Sequence, residues 1–208
     1  MINTSLNIKE IYFSQLSIIE MPIYQQLVFQ FLKKLKFEYP SFTKWYSNLF
    51  SNGVLNTNRE IIICEAFNVI VAVAILKYDE KKICTFRVSE SFQKNGIGKH
   101  LMEKCFEVLE TDKPLITVHN KRRYQYNNLF QYYGFTLEQT NHFYYWYNTE
   151  LAYNGVLPEK NILINKVILI DYIDFIDKMW KVKNELFKEI QTYTETYKLY
   201  DSERLSVN

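Results

Sequence analysis

The sequence predicts an α/β protein of the α+β kind: a mixed, mostly antiparallel sheet with one parallel strand pair, flanking helices and a C-terminal helical extension. Three observations carry this. Residues 60–65, 69–76 and 83–88 are rich in β-branched side chains, and the turns between them are short enough to call for an antiparallel meander. Residues 99–109 place Leu101, Met102, Cys105, Phe106 and Leu109 on one helical face, between the third run and a further strand at 114–118. A strand, a helix and a strand in that order make one parallel crossover. Beyond Pro158, apolar residues again recur at helical spacing.

Taken in order, residues 14–50 step helically through Leu16, Ile19, Ile23, Leu27 and Phe31, with Pro22 marking a start or a break. After Pro40 a second face holds Phe42, Trp45, Tyr46 and Leu49, and Asn52-Gly53 turns the chain into the strands. Following the strand at 114–118, residues 122–133 read as a helix closed by Gly134 as its C′ residue. Residues 135–137 and 142–147 read as two closing strands. Past Pro158, Ile162, Val167, Ile170, Ile173, Ile176 and Trp180 fit a helical stripe. The first part of this segment is apolar nearly all round and needs a cover, either this domain or a second copy of the chain in a homodimer. The expected division is a domain at 1–157 and an extension at 158–208.

A chain of 208 residues is long enough for one full core with an appendage, and a hydrophobic share of 48% argues against wholesale disorder. The formal net charge of +2 gives no case for nucleic acid. The basic run Lys121-Arg122-Arg123-Tyr124 offers few phosphate contacts and reads as a solvated helix start. Cys64, Cys84 and Cys105 are odd in number and lie in apolar runs, as reduced, buried thiols of a cytoplasmic protein do. They share no metal-ligand spacing with His100, His119 or His142. Asp171, Asp174 and Asp177 read as the wet side of the C-terminal helix, so no metal is expected. The polar N-terminus lacks the core of a signal peptide. Charged residues interrupt the most apolar stretch, 162–176, so no membrane span is expected either.

The chemistry points to residues 83–101: a strand, a polar loop and the first turn of an amphipathic helix. A helix start exposes unpaired N–H groups and the positive end of the dipole, and glycines let that backbone close on an anion. Gln93-Lys94-Asn95-Gly96-Ile97-Gly98 therefore reads as a diphosphate cradle, with Lys94 and Lys99 adding positive charge. No Gly-Lys-[Ser/Thr] follows as in a Walker loop, and the third glycine of a Rossmann fingerprint is missing.

The same six residues match [Gln/Arg]-x-x-Gly-x-[Gly/Ala], the acetyl-CoA signature of the GNAT acetyltransferase superfamily. Phe86-x-Val88 resembles the strand end before it, and Leu129-Phe130-Gln131-Tyr132-Tyr133-Gly134-Phe135 resembles the family's Leu-Tyr-x-x-x-Gly-Phe element. The resemblance covers roughly residues 10 to 150. Lys82–Val88 and residues 113–118 and 153–157 are also similar to a bacterial subgroup of that superfamily.

The resemblance implies a sheet whose central parallel strands splay apart, with the pantetheine arm of acetyl-CoA lying between them. It places the diphosphate on the amides of residues 95–99, and it assigns cofactor binding to Phe86, Val88, Gln93, Lys94, Asn95, Gly96, Ile97, Gly98, Lys99 and Phe130. The reaction implied is direct attack of a primary amine on the thioester, with a base and an acid moving protons. The family's thiolate-protonating tyrosine aligns with Phe130, which has no proton to give. Tyr126, one helical turn earlier, is the substitute candidate for the acid. His119, at the carboxyl end of the strand at 114–118, is the candidate base, since an imidazole titrates near neutrality. The alternative is an acyl-CoA-binding sensor weakened in catalysis.

Overall fold

The structure of the protein, a computed structural model, describes residues 7–39, 41–145, 148–158, 177–185 and 188. The chain divides into two compact units, Met1–Pro158 and Glu159–Asn208. In the second, residues 177–185 are helical. The rest of the stripe expected at 162–190 lies outside the described residues, as do Asp171 and Asp174.

The first unit is built in the order β1 (Lys9–Tyr12), α1 (Glu20–Leu32), α2 (Phe42–Ser47), β2 (Phe50–Ser51), β3 (Val54–Leu55), β4 (Arg59–Ala66), β5 (Val69–Lys77), β6 (Lys82–Val88), α3 (Ile97–Leu109), β7 (Leu115–His119), α4 (Arg123–Tyr132), β8 (Leu137–Tyr145) and β9 (Asn148–Tyr153). Seven strands form one sheet in the order β1-β4-β5-β6-β7-β9-β8. Every adjacent pair is antiparallel except β6 and β7, which run parallel. The fold class expected from the sequence is thus the one observed.

Alternation along the strands sends side chains to two separate cores. On one face Ile62, Cys64, Leu76, Ile83, Phe86, Ile116, Val118, Leu151 and Tyr153 pack against Ile97, Leu101, Met102, Cys105 and Leu109 of α3 and Phe130 of α4. On the other, Ile61, Ile63, Val73 and Ile75 pack against Val28 and Leu32 of α1 and Phe42 and Tyr46 of α2. Each large apolar side chain taken fully from water contributes roughly 1.5–3 kcal/mol before chain entropy is counted. The buried stripe of α3 therefore fixes where its first turn sits.

Three local readings change. The polar start of the chain contributes β1, which pairs antiparallel with β4 from Lys9↔Glu65 to Tyr12↔Ile62. An edge strand of four residues, with only Ile11 fully buried, carries too little apolar alternation to announce itself. The closing strands are β8 and β9, and residues 138–141 lie within β8 and do not separate two strands. Polar Glu138, Gln139, Thr140 and Asn141 lie on an edge strand, where ladder pairing, not hydrophobicity, holds them. Finally, Ile19, Ile23 and Leu27 of the expected α1 stripe are exposed, and Val28 and Leu32 are buried instead. That helix is apolar on more than one side, so periodicity alone does not choose its inner face. Ser17 and Glu20 exchange hydrogen bonds at its start.

Candidate active site

The parallel pair is joined only at its beginning. Lys82 pairs with Leu115 and Ile83 with Ile116, and Leu115 N donates to Lys81 O at 3.0 Å. Beyond that the two strands part. β6 continues paired with β5 as far as Val88, and β7 continues paired with β9 as far as His119. The facing edges of β6 and β7 therefore open toward their carboxyl ends, in the interior of the sheet and not at its rim.

Val88 leads through a 3₁₀ turn at Glu90–Phe92 into residues 93–96, all exposed, and then into α3. Lys94 and Gly96 have φ of 65° and 81°, the left-handed region in which glycine carries no Cβ penalty. A Cβ on Gly96 would meet nothing within 4 Å, so the space above the turn is open. His100 N is the first amide to donate back into the helix, to Gly96 O at 3.0 Å. The amides of Ile97, Gly98 and Lys99 precede that bond and lie at the positive end of the dipole. Gln93 Nε2 donates to Val88 O at 3.2 Å and folds the turn against the strand end. The Lys99 ammonium donates to the Tyr132 hydroxyl and lies 4.1 Å from that ring's centroid, which ties the start of α3 to the end of α4. This arrangement fits an anionic diphosphate: amides, two cations and room above them.

α4 reaches the parted strand β6 through Tyr126. Its N-terminal turn is preceded by a 3₁₀ turn at Asn120–Arg122, and Gly134, φ 61°, ends it as expected. Tyr126 Oη donates to Phe86 O at 2.8 Å, so a side chain satisfies a carbonyl of the parted strand. The Tyr126 ring sits 6.4 Å from Phe86 and stacks on Phe130 at 5.5 Å. Phe130 itself is buried, 5.1 Å from Phe135 and 4.6 Å from Tyr153. Burial pushes the Tyr126 hydroxyl up to about 12, against the pull of Arg87 and Arg122.

His119 lies apart from these residues. It follows Val118, whose side chain belongs to the α3 core, and so projects to the α1–α2 face. Its ring is buried, and Nδ1 accepts from Lys121 N at 3.0 Å, capping the turn before α4. That bond assigns the ring proton of the neutral imidazole to Nε2 and leaves no free lone pair to take a proton from a substrate.

Directly across from His119 in the β7–β9 register is Glu150, which the sequence reading did not single out. It is 1% exposed. Tyr39 Oη donates to its Oε1 at 3.2 Å, while Oε2 is buried with no hydrogen-bond partner among the described residues. Burial pushes this carboxyl up to about 7, and the nearby hydroxyls of Thr117 and Tyr39 pull it back only in part. Around it, Tyr39 meets Tyr145 edge-on at 5.2 Å, Asn148 Nδ2 donates to Glu38 O at 3.0 Å, and the Arg122 guanidinium donates through two nitrogens to Glu38 Oε1. Arg122, read as part of a solvated basic run, is thus held in an ion pair. A strand at 148–153 in place of 142–147 would have exposed the signal: an acidic residue beside Leu151, Ala152 and Tyr153, all buried.

Among the described residues no cluster of His, Cys, Asp or Glu is arranged to hold a metal ion, and no helix is long and apolar enough to cross a membrane. Cys64 and Cys105 are buried free thiols, and half-buried Cys84 accepts from the Arg59 guanidinium at 3.0 Å.

A family model described as an acetyltransferase (GNAT) domain matches residues 36–144, just over half of the chain. The chain is also similar to solved structures. It shares 14% identity and a TM-score of 0.47 with the ribosomal-protein-S18-alanine N-acetyltransferase from Escherichia coli, over 73% of this chain and 98% of that one. With the Campylobacter jejuni N-acetyltransferase PseH, solved in complex with acetyl coenzyme A, the figures are 14% and 0.44, over 70% and 97%. With nourseothricin acetyltransferase they are 13% and 0.42, over 48% of this chain and 65% of that one, so the chain spans less than two thirds of that protein's length. No curated protein matches the sequence.

Proposed function

The chain belongs to the GNAT acetyltransferase family, and on that premise we propose that it transfers an acetyl group from acetyl-CoA to a primary amine, by direct attack with both substrates bound. The observation that carries this reading is the parting of β6 and β7 beside the open amides of residues 97–99. An extended amide-bearing arm fits the unpaired edge of β6, and a diphosphate fits the turn of residues 93–99, where Lys94 and Lys99 balance its charge. Acetyl-CoA, when bound, supplies an acyl carbon activated by its thiol leaving group. The chain's own part is to hold the two reactants in line and to move protons.

Tyr126 is the residue we assign to protonating the departing sulfur. Its hydroxyl is protonated through the neutral range and donates to Phe86 O at the parted strand; in the acid's role that proton turns from the carbonyl to the sulfur. Phe86 and Val88 form the wall of the slot, and Phe130 backs the Tyr126 ring. The buried Phe130 also favours a second reading, an acyl-CoA-binding sensor with weakened catalysis.

Melting curves with and without acetyl-CoA test the shared premise. At a concentration 100 times its dissociation constant the ligand stabilises by about 2.7 kcal/mol. An unchanged melting temperature at saturating acetyl-CoA defeats both readings. Free thiol released when amines are supplied separates the enzyme from the sensor.

A further inference from the structure

Glu150 has a job that the fold does not require of it. Packing on β9 needs no carboxylate at a position 1% exposed, and a buried ionisable group is costly unless it is paired. Here the pairing is half complete. Tyr39 Oη holds Oε1 at 3.2 Å, the Thr117 hydroxyl lies near the carboxyl, and Oε2 is buried without a hydrogen-bond partner among the described residues. The strand that carries Glu150 borders β7, one wall of the opening, and Glu150 stands opposite His119, the last residue of that wall.

Groups from every neighbouring element face it. They are Glu38 and Tyr39 from the connection between α1 and α2, Lys82 from β6, Thr117 and His119 from β7, and Asn141, Tyr144 and Tyr145 from β8. Among them Lys82 favours the carboxylate and Glu38 opposes it. The hydroxyl of Tyr126, bonded to β6 across the opening, feels the charges of Glu150, Glu38, Arg87 and Arg122. His119 Nδ1 is already bonded to Lys121 N. The edge-on pair Tyr39 and Tyr145, 5.2 Å apart, adds aromatic surface of the kind that attracts an alkylammonium.

Resting on the acetyltransferase reading, we propose that Glu150 is the catalytic base, receiving the acceptor's ammonium group at Oε2 and taking its proton. The carboxylate accepts one proton from the ammonium. The freed nitrogen pair bonds to the thioester carbon, the carbon–sulfur bond breaks, and its electron pair leaves on sulfur. Tyr126 gives its proton to sulfur and takes the second nitrogen proton in its place, the third stays on the new amide, and Glu150 returns its proton to solvent. A carboxyl raised to about 7 is matched to this task, since a base works best with a pKa near the operating pH. Tyr39 is a positioning residue that turns Oε2 toward the amine by holding Oε1.

The test compares wild type, Glu150→Gln and Tyr39→Phe in three measurements. Carbon-13 spectra of ligand-free protein labelled at glutamate should show one carboxyl titrating near pH 7, absent in Glu150→Gln. Calorimetry should give acetyl-CoA affinities that agree within about two-fold across all three proteins, since Glu150 lies outside the cofactor turn; general-base losses, by contrast, are ~100-fold or more. With n-butylamine as the probe amine, thiol release should rise through pH 7 in wild type. In Glu150→Gln it should fall ~100-fold or more and lose that limb. Tyr39→Phe should shift the limb to higher pH, because the carboxylate loses a donor. A Glu150→Gln protein that keeps the rate and the limb overturns the proposal. So does a wild type that binds acetyl-CoA yet releases no thiol with n-butylamine, and that result leaves the acetyl-CoA reading standing. A wild type that does not bind acetyl-CoA overturns the functional reading itself.

Discussion

The turn that opens α3 and the buried polar cluster of Tyr39, Glu150, Glu38 and Arg122, a floor of side chains, are made of different material. The turn is backbone: consecutive residues 93–99, exposed side chains at 93–96 and 99, two left-handed φ values and three amides ahead of the first helical bond. The floor is side chain: Tyr39 and Glu150, 111 positions apart in sequence, meet in a buried contact, and Arg122 reaches Glu38 across 84. A site built from backbone tolerates many residues but few conformations. A site built from buried side chains tolerates the reverse, because each polar group there depends on a specific partner.

Substitutions can break or sharpen this contrast, and the largest effect is expected on the floor. Because the folded protein holds the Glu150 proton up to about 7 and a free carboxyl only to 4.5, the native state binds more protons than the unfolded chain between those values. Stability should therefore fall as pH rises from 4.5 to 7, by roughly 3 kcal/mol, and level off above. In Glu150→Gln that slope should vanish, so that at pH 8 the variant melts higher than wild type. Melting curves from pH 4.5 to 8 measure this, and parallel slopes would mean that the carboxyl is not desolvated.

Next comes the turn. Gly96→Val meets no neighbour within 4 Å but forces a β-branched residue to a φ of 81°. A cost of ~1–3 kcal/mol in denaturant titrations is expected, together with loss of the melting shift given by acetyl-CoA. Tyr126→Phe leaves Phe86 O without its donor and should cost about 1 kcal/mol in the same titration. It should also lower kcat for thiol release more than it alters acetyl-CoA affinity. The smallest change belongs to side chains of the turn: Lys94→Ala, at an exposed position, should move stability by less than ~0.5 kcal/mol and weaken acetyl-CoA binding only modestly. A large loss from Lys94→Ala would overturn the description of the turn as a backbone site.

The same difference explains what the sequence discloses. Residues 93–98 can be read because a helix start with two glycines is a local pattern, and because the strand before it and the helix after it have strong, distinct periods. The meander of β4, β5 and β6 is legible for the same reason, as is Gly134 closing α4. Glu150 is not, because nothing within a few residues of it tells that Tyr39 will arrive or that Oε2 will be enclosed. His119 looks suitable by residue type and strand position, and only the three-dimensional bond from Lys121 N shows what its lone pair does. The edge strands β1 and β8 are hidden because hydrogen-bond pairing, not side-chain burial, defines them.

The connection carrying Glu38 and Tyr39 is sewn down by three threads: the Glu38 carboxylate to Arg122, the Glu38 carbonyl to Asn148, and the Tyr39 hydroxyl to Glu150. Lifting those two residues to let a thick chain pass would cut all three together and strand a guanidinium and a carboxylate. Where this connection rests is thereby decided jointly by β9 and by the turn that leads into α4.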